Sequence, residues 1–196
     1  MFFKREFSLL NNQGSRKYLN RFERHIFFHT CQQLPLEKRL FCLMLYYTGA
    51  RISEIAELKV SQLDFCDKTV VIKTLKKRKA NVYRQMQLPD HLLGNLLALI
   101  DHRQKHDIQL GGRLWSFKTR TASRYIKSVM NAAGIYGAQA SAKGLRHGFA
   151  VHAVTKAPIT KVREWMGHAD LETTAIYLQV SGIEDREWAE KLWDEE

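Results

Sequence analysis

The 196-residue sequence has only three cysteines and three prolines, and it lacks any long apolar run. Cys31, Cys42 and Cys66 lie far apart and form no C-x-x-C pair. That excludes a disulfide framework and a zinc site, and it suits a reducing cytosol. The longest apolar stretch, which includes Phe41 to Tyr47, is far too short to cross a bilayer. The first residues, MFFKREFSLLNNQG, show no apolar segment followed by a small-residue cleavage site. No signal peptide is therefore expected, and the expected location is cytoplasmic. Internal repeats and low-complexity tracts are also missing.

Basic charge is abundant. The formal net charge is +11, which favours a polyanionic partner, nucleic acid ahead of an anionic membrane surface. The charge is unevenly placed: residues 184–196 hold seven acids against Arg186 and Lys191, a local balance of −5, so residues 1–183 carry +16. This describes a nucleic-acid-binding body with an acidic tail. Within the tail, Ile183, Trp188, Ala189, Leu192 and Trp193 share one face of an amphipathic helix.

Periodicity predicts a mostly helical α+β chain. After Pro35, the residues Leu36, Leu40, Phe41, Leu43, Met44 and Tyr47 fall at helical spacing, and Thr48-Gly49 breaks the pattern. A short helix over Arg51–Leu58 follows. Residues 63–65, 70–75 and 82–88 read as three strands of a small antiparallel sheet, with turns at Asp67-Lys68 and Lys79–Asn81. Pro89 and Asp90 open a helix with Leu92, Leu93, Leu96, Leu97, Leu99 and Ile100 on one face. Another helix is expected over Thr121–Ala133, then short helices broken at Gly144, Pro158 and Gly167.

Three segments of the chain point to a chemistry. Attack on a phosphodiester spreads negative charge over the non-bridging oxygens, which planar, permanently charged guanidinium groups match. A tyrosine nucleophile would store the broken bond as a phosphotyrosine, and a general acid must protonate the leaving 5′ oxygen. The constellation sought is two arginines, a lysine or histidine acid, and a tyrosine. Three segments supply it: LYYTGARISEIAELKVSQLDF at 45–65, KGLRHGFAVHA at 143–153 and WMGHADLETTAIYLQV at 165–180.

These segments resemble, in order and separation, the three boxes of the tyrosine recombinase (phage integrase) family: T-G-x-R-x-S-E-L, H-x-x-R, and G-H followed by T-x-x-Y. His168 and Tyr177 stand nine residues apart, as the third box requires. The resemblance covers roughly residues 36–180. It implies the recombinase catalytic-domain fold with a small three-stranded sheet, and cleavage and rejoining of double-stranded DNA through a 3′-phosphotyrosine, with no metal or other cofactor. Arg51 and Arg146 would clamp the scissile phosphate, His168 would hydrogen-bond the phosphate or the nucleophile, and Tyr177 would attack. Glu54, one helical turn after Arg51, would orient its neighbours.

The family also places a general-acid lysine on a β-hairpin. Here the basic run Lys73, Lys76, Lys77, Arg78, Lys79 and Arg84 flanks the expected turn. Lys76 is assigned that role, with Lys73 and Lys77 as alternatives, and the remaining members are expected to contact DNA phosphates. One position departs from the family: Lys143 stands where a histidine is usual. Type IB topoisomerases resemble this chain there, so the reaction class is kept while the route of tyrosine deprotonation is altered. His147 and His152 are read as structural.

The resemblance further implies a catalytic domain over 1–181, including a basic segment over about 1–15, and a tail at 182–196 that contacts a neighbouring subunit. It implies a dimer or tetramer on DNA, and no membrane partner. The family's separate N-terminal domain is not expected, since little chain precedes Pro35, and an accessory DNA-binding protein would compensate. Two other readings share these residues: a non-catalytic DNA-binding protein keeping the fold, and a topoisomerase without site preference.

Overall fold

The computed structural model describes residues 8–75 and 82–179, together with Glu190 and Trp193. Lys76, Lys77, Arg78 and Lys79, and nearly all of the acidic tail, lie outside the described residues.

Helices dominate. The elements are α1 (Arg21–Cys31), α2 (Leu36–Thr48), α3 (Ile52–Ala56), β1 (Leu63–Asp64), β2 (Thr69–Lys73), β3 (Tyr83–Gln87), α4 (Asp90–Lys105), α5 (Thr119–Ala132), α6 (Ala142–Val154), α7 (Ile159–Met166) and α8 (Glu172–Ala175). Single 3-10 turns occupy Val60–Gln62 and Ile176–Gln179.

Most boundaries follow from local chemistry. Helix α2 ends at Gly49, whose left-handed backbone (φ 57°) admits glycine at low cost. A side chain at Gly49 would also collide with the Phe149 ring. Helix α3 was expected to run to Leu58 but stops at Ala56. The chain turns there because Leu58 and Val60 pair with the 112–114 segment: Leu114 donates to the Leu58 carbonyl at 2.9 Å and Val60 to the Gly112 carbonyl at 3.0 Å. The periodicity did not reveal α1. Its start is a capping box, with Glu23 N–H donating to Asn20 Oδ1 at 2.8 Å and Asn20 N–H to Glu23 Oε2 at 3.2 Å.

The three strands form one antiparallel sheet in the order β1-β2-β3, with Val70 opposite Met86 and Ile72 opposite Arg84. Val70, Ile72 and Met86 face inward, as two-residue alternation requires. Helix α4 buries Leu92, Leu93, Leu96, Leu99 and Ile100, but Leu97, expected on the same face, is exposed. At 100° per residue, Leu97 falls off the inward stripe.

The core is built around α2 and α6. Phe41, Trp115 and Phe117 pack edge-on or stacked, and Trp115 Nε1 donates to the Ile55 carbonyl at 2.6 Å, locking α3 to the following layer. Cys31 and Cys42, distant in sequence, meet inside the core. The hydrogen bond between the two thiols, and burial, push the Cys31 thiol well above its ordinary pKa, which leaves it unreactive.

Helix α6 is buried nearly all round, including Arg146 and His147. It accepts this because the segment before α1 runs across it: Leu19 N–H donates to the Gly144 carbonyl at 3.1 Å, and Gly148 lets the Leu19 carbonyl approach without a Cβ between. Gly148→Ala is expected to cost roughly 1–3 kcal/mol through overpacking against that backbone oxygen, measurable by urea denaturation of the folded chain.

Candidate active site

The site forms where three chain reversals meet. Arg51 caps the start of α3, just past the Gly49 turn. Lys143, Arg146 and His147 project from α6. His168 follows Gly167, the left-handed residue (φ 60°) that ends α7. Tyr177 sits in the 3-10 turn after α8. Together with Ser53 and Thr173 they line one cavity of about 500 Å³. A larger cavity of about 680 Å³ lies between β3 and α7 and shares only His168 with the first, so the titratable cluster belongs to the smaller one.

Arg146 is the pivot. Its Nη1 donates to the Gly49 carbonyl at 2.7 Å and its Nη2 to the Met166 carbonyl at 2.6 Å. Burial, and then the charge of Arg51, lower its pKa to about 9, which still leaves it cationic at neutral pH. Arg146 Nη2 also donates to His168 Nε2 at 3.3 Å. A guanidinium can only donate, so the His168 proton lies on Nδ1, which donates to Thr174 Oγ1 at 3.0 Å. Thr174 thereby fixes the histidine's tautomer and orientation.

Arg51 pairs with Glu54. Its Nη1 donates to Glu54 Oε1 at 2.9 Å and its backbone N–H to Oε2 at 3.0 Å, so the carboxylate orients Arg51 as expected of an i, i+3 neighbour. Glu54 has a second partner that the sequence reading placed elsewhere. Arg84, expected among the phosphate-contacting cations, is buried: its Nη2 donates to Glu54 Oε2 at 2.5 Å, its Nε to the Trp165 carbonyl at 2.8 Å and its Nη1 to Thr74 Oγ1 at 3.0 Å. Its side chain is 3% exposed and that of Glu54 0%. Strand alternation turns Arg84 inward, where the buried carboxylate demands a counter-charge. Burial alone would raise the Glu54 pKa, but the Arg84 and Arg51 charges and hydrogen bonds outweigh it and hold the carboxyl below its ordinary range. Lys73, by contrast, faces solvent at the end of β2.

Tyr177 is 2% exposed, and its phenol lies 2.9 Å from His147 Nδ1. Its ring stacks on that of His168 at 6.1 Å between centroids. Burial pushes the phenol up to about 12, while the Arg146 and Arg51 charges pull it the other way. Burial, followed by the charges of Lys143, Arg146 and Lys17, pushes His147 down to about 3. The imidazole is therefore neutral at neutral pH, and its Nδ1 shares a hydrogen bond with the Tyr177 phenol. His147, read from sequence as structural, is the side chain that touches the phenol. The available signal was its place four residues after Lys143, hence on the same helix face. His152 is half-buried in the last turn of α6. Among the described residues, no three His, Cys, Asp or Glu side chains gather as metal ligands do.

Residues 17–182 match the phage integrase family. The chain belongs to this family. A tyrosine recombinase of Thermosipho africanus is 30% identical over 162 residues, covering 82% of this chain and 56% of that protein. Tyrosine recombinase XerA of Pyrococcus furiosus is 29% identical over 174 residues, covering 81% and 56%. The chain thus spans little more than half the length of these relatives. Among solved structures, XerA recombinase superposes with a TM-score of 0.76 at 24% identity, covering 89% of this chain and 64% of that one. The catalytic domain of bacteriophage HP1 integrase superposes at 0.62 and 22% identity, covering 83% and 86%. The fold is that of a tyrosine recombinase catalytic domain, and no helix among the described residues is long and apolar enough to cross a membrane.

Two stability measurements check these electrostatics. Arg84→Met is expected to lower the unfolding free energy by about 3–5 kcal/mol in urea titrations, because it strands a buried carboxylate. His147 binds its proton near pH 3 when folded and near ~6.5 when unfolded. The unfolded chain therefore gains protons first, so stability falls as pH drops from about 6.5 towards 3. His147→Asn should flatten that slope in denaturation curves recorded across the range.

Proposed function

We propose that this chain is the catalytic domain of a site-specific DNA recombinase that cleaves and rejoins strands through a 3′-phosphotyrosine at Tyr177. The supporting observation is the single cavity that gathers Arg51, Lys143, Arg146 and His168 around that tyrosine. Arg51 and Arg146 clamp the two non-bridging oxygens of the scissile phosphate, and their fixed orientation offsets the charge that grows there during attack. Lys143, which lines the same cavity, adds a third cation, and His168 becomes a donor to the phosphate through Nε2 when the arriving negative charge protonates that nitrogen. The Tyr177 oxygen forms a bond to phosphorus, the bond to O5′ breaks, and a hairpin lysine protonates O5′. Lys76 is the assigned donor, with Lys73 and Lys77 as alternatives.

The partner is double-stranded DNA, held largely through phosphate contacts by Lys73, Lys77, Arg78 and Lys79. Two or four copies act together, residues 182–196 dock on a neighbouring subunit, and an accessory DNA-binding protein completes the grip. The reaction belongs in the cytoplasm, where the DNA is.

The test uses duplexes that the purified protein selects from a random-sequence pool, nicked so that the cleaved end diffuses away. A denaturant-resistant protein–DNA adduct is expected from the parent chain and none from Tyr177→Phe. Tight site binding without an adduct from the parent, or an undiminished adduct from Tyr177→Phe, overturns the reading in favour of a non-catalytic DNA-binding protein. Relaxation of supercoiled plasmids lacking the selected site would instead indicate topoisomerase-like activity.

A further inference from the structure

We propose that His147, rather than Lys143, accepts the Tyr177 proton as the tyrosine attacks DNA. This rests on the strand-cleavage reading above and assigns within it the one proton transfer that Lys143 leaves open.

The geometry supports the assignment first. His147 Nδ1 lies 2.9 Å from the Tyr177 phenol oxygen, within the reach a general base needs. Lys143 stands one helical turn earlier, at the exposed start of α6, and an ammonium has three donors and no acceptor. His168 is committed in the opposite sense: its Nε2 accepts from Arg146 and its Nδ1–H donates to Thr174. His147 thus places a ring nitrogen within hydrogen-bond reach of the phenol.

The electrostatics are consistent with that role. Burial first, then the positive charges of Lys143 and Arg146 on the same helix and of Lys17 from the segment before α1, keep His147 neutral in the DNA-free site. A base that acts in concert with attack needs a proton affinity between that of the phenol before the step and that of the aryl phosphate ester oxygen after it. The lowered affinity of His147 keeps its ring free to accept, and the phenol, held up by burial at rest, becomes far more acidic as its oxygen bonds to phosphorus. The arriving phosphodiester carries negative charge into the same cavity and further stabilises the imidazolium.

The step balances without an added reagent. The Tyr177 oxygen–phosphorus bond forms as the phenol proton passes to His147 Nδ1. The phosphorus–O5′ bond breaks as the hairpin lysine gives its proton to O5′. In rejoining, the 5′-hydroxyl attacks phosphorus and returns its proton to the lysine. The departing Tyr177 oxygen then recovers its proton from His147.

The experiment measures single-turnover adduct formation on the selected nicked duplex from pH 6 to 9.5. It compares the parent chain, His147→Asn and Lys143→Ala, each with an ordinary and a 5′-bridging phosphorothioate substrate. His147→Asn is expected to be slower by roughly 10²–10⁴-fold at pH 7, to recover about tenfold per pH unit as hydroxide replaces the base, and to gain nothing from the sulfur leaving group. Lys143→Ala should be slower without acquiring that slope. Wild-type rates and profile in His147→Asn, rescue of that variant by phosphorothioate, or the slope appearing in Lys143→Ala instead would each overturn the assignment. If the parent forms no adduct, both this assignment and the function itself fall. A parent that cleaves beside an unaffected His147→Asn removes this assignment alone. Should His147→Asn not fold, nitrogen-15 spectra of the intact parent decide: a proton on His147 Nε2 supports the proposal, and one on Nδ1 overturns it.

Discussion

One of the buried arginines, Arg146, organises the site. Arg146 sits inside a helix that is packed on nearly every side, and a guanidinium taken out of water is tolerated only when its donors are satisfied. Two helix ends satisfy them. Gly49 ends α2 and Met166 is the last residue of α7, and both carbonyls aim at Arg146. These are the negative ends of two helix dipoles converging on one positive charge. Each helix stops at a left-handed glycine, Gly49 offering its own carbonyl and Gly167 following the Met166 carbonyl, and each reversal delivers a polar side chain within the next two residues: Arg51 after Gly49, His168 after Gly167. The cavity is thus a by-product of neutralising Arg146.

A second charge network extends this frame to the sheet. Glu54 is held between Arg51 on its own helix and Arg84 on β3, while Arg84 also reaches the Trp165 carbonyl near the end of α7. The strand that leads out of the basic hairpin is therefore anchored to the arginine at the cavity wall. Displacement of β3 cannot leave Arg51 undisturbed, because one carboxylate serves both.

The sequence boxes were legible because their chemistry depends on spacing. Arg51, Glu54, Arg146, His168 and Tyr177 fall at intervals that each local helix or turn brings onto one side, and the structure gathers them. Other features depend on partners distant in sequence. Arg84 stood in a run of cations and read as solvated; only the fold reveals that Glu54, thirty residues earlier, lies opposite it. His147 read as a structural histidine because its partner, Tyr177, is thirty residues later. Helix α3 looked to run two residues further at its C-terminal end because nothing local shows Leu58 pairing with Leu114. The capping box of α1 was visible in principle as Asn20 and Glu23, but no apolar period accompanied it.

The crossing of Leu19 over α6 has a mechanical consequence. Its N–H is bonded to the Gly144 carbonyl, and its own carbonyl sits against Gly148, one turn on. Those two glycines bracket Arg146 and His147. A shift of residues 17–19 therefore cannot leave α6 in place, because the segment is bonded to one glycine and packed against the other. The segment is thus fastened to both ends of the arginine-bearing turn.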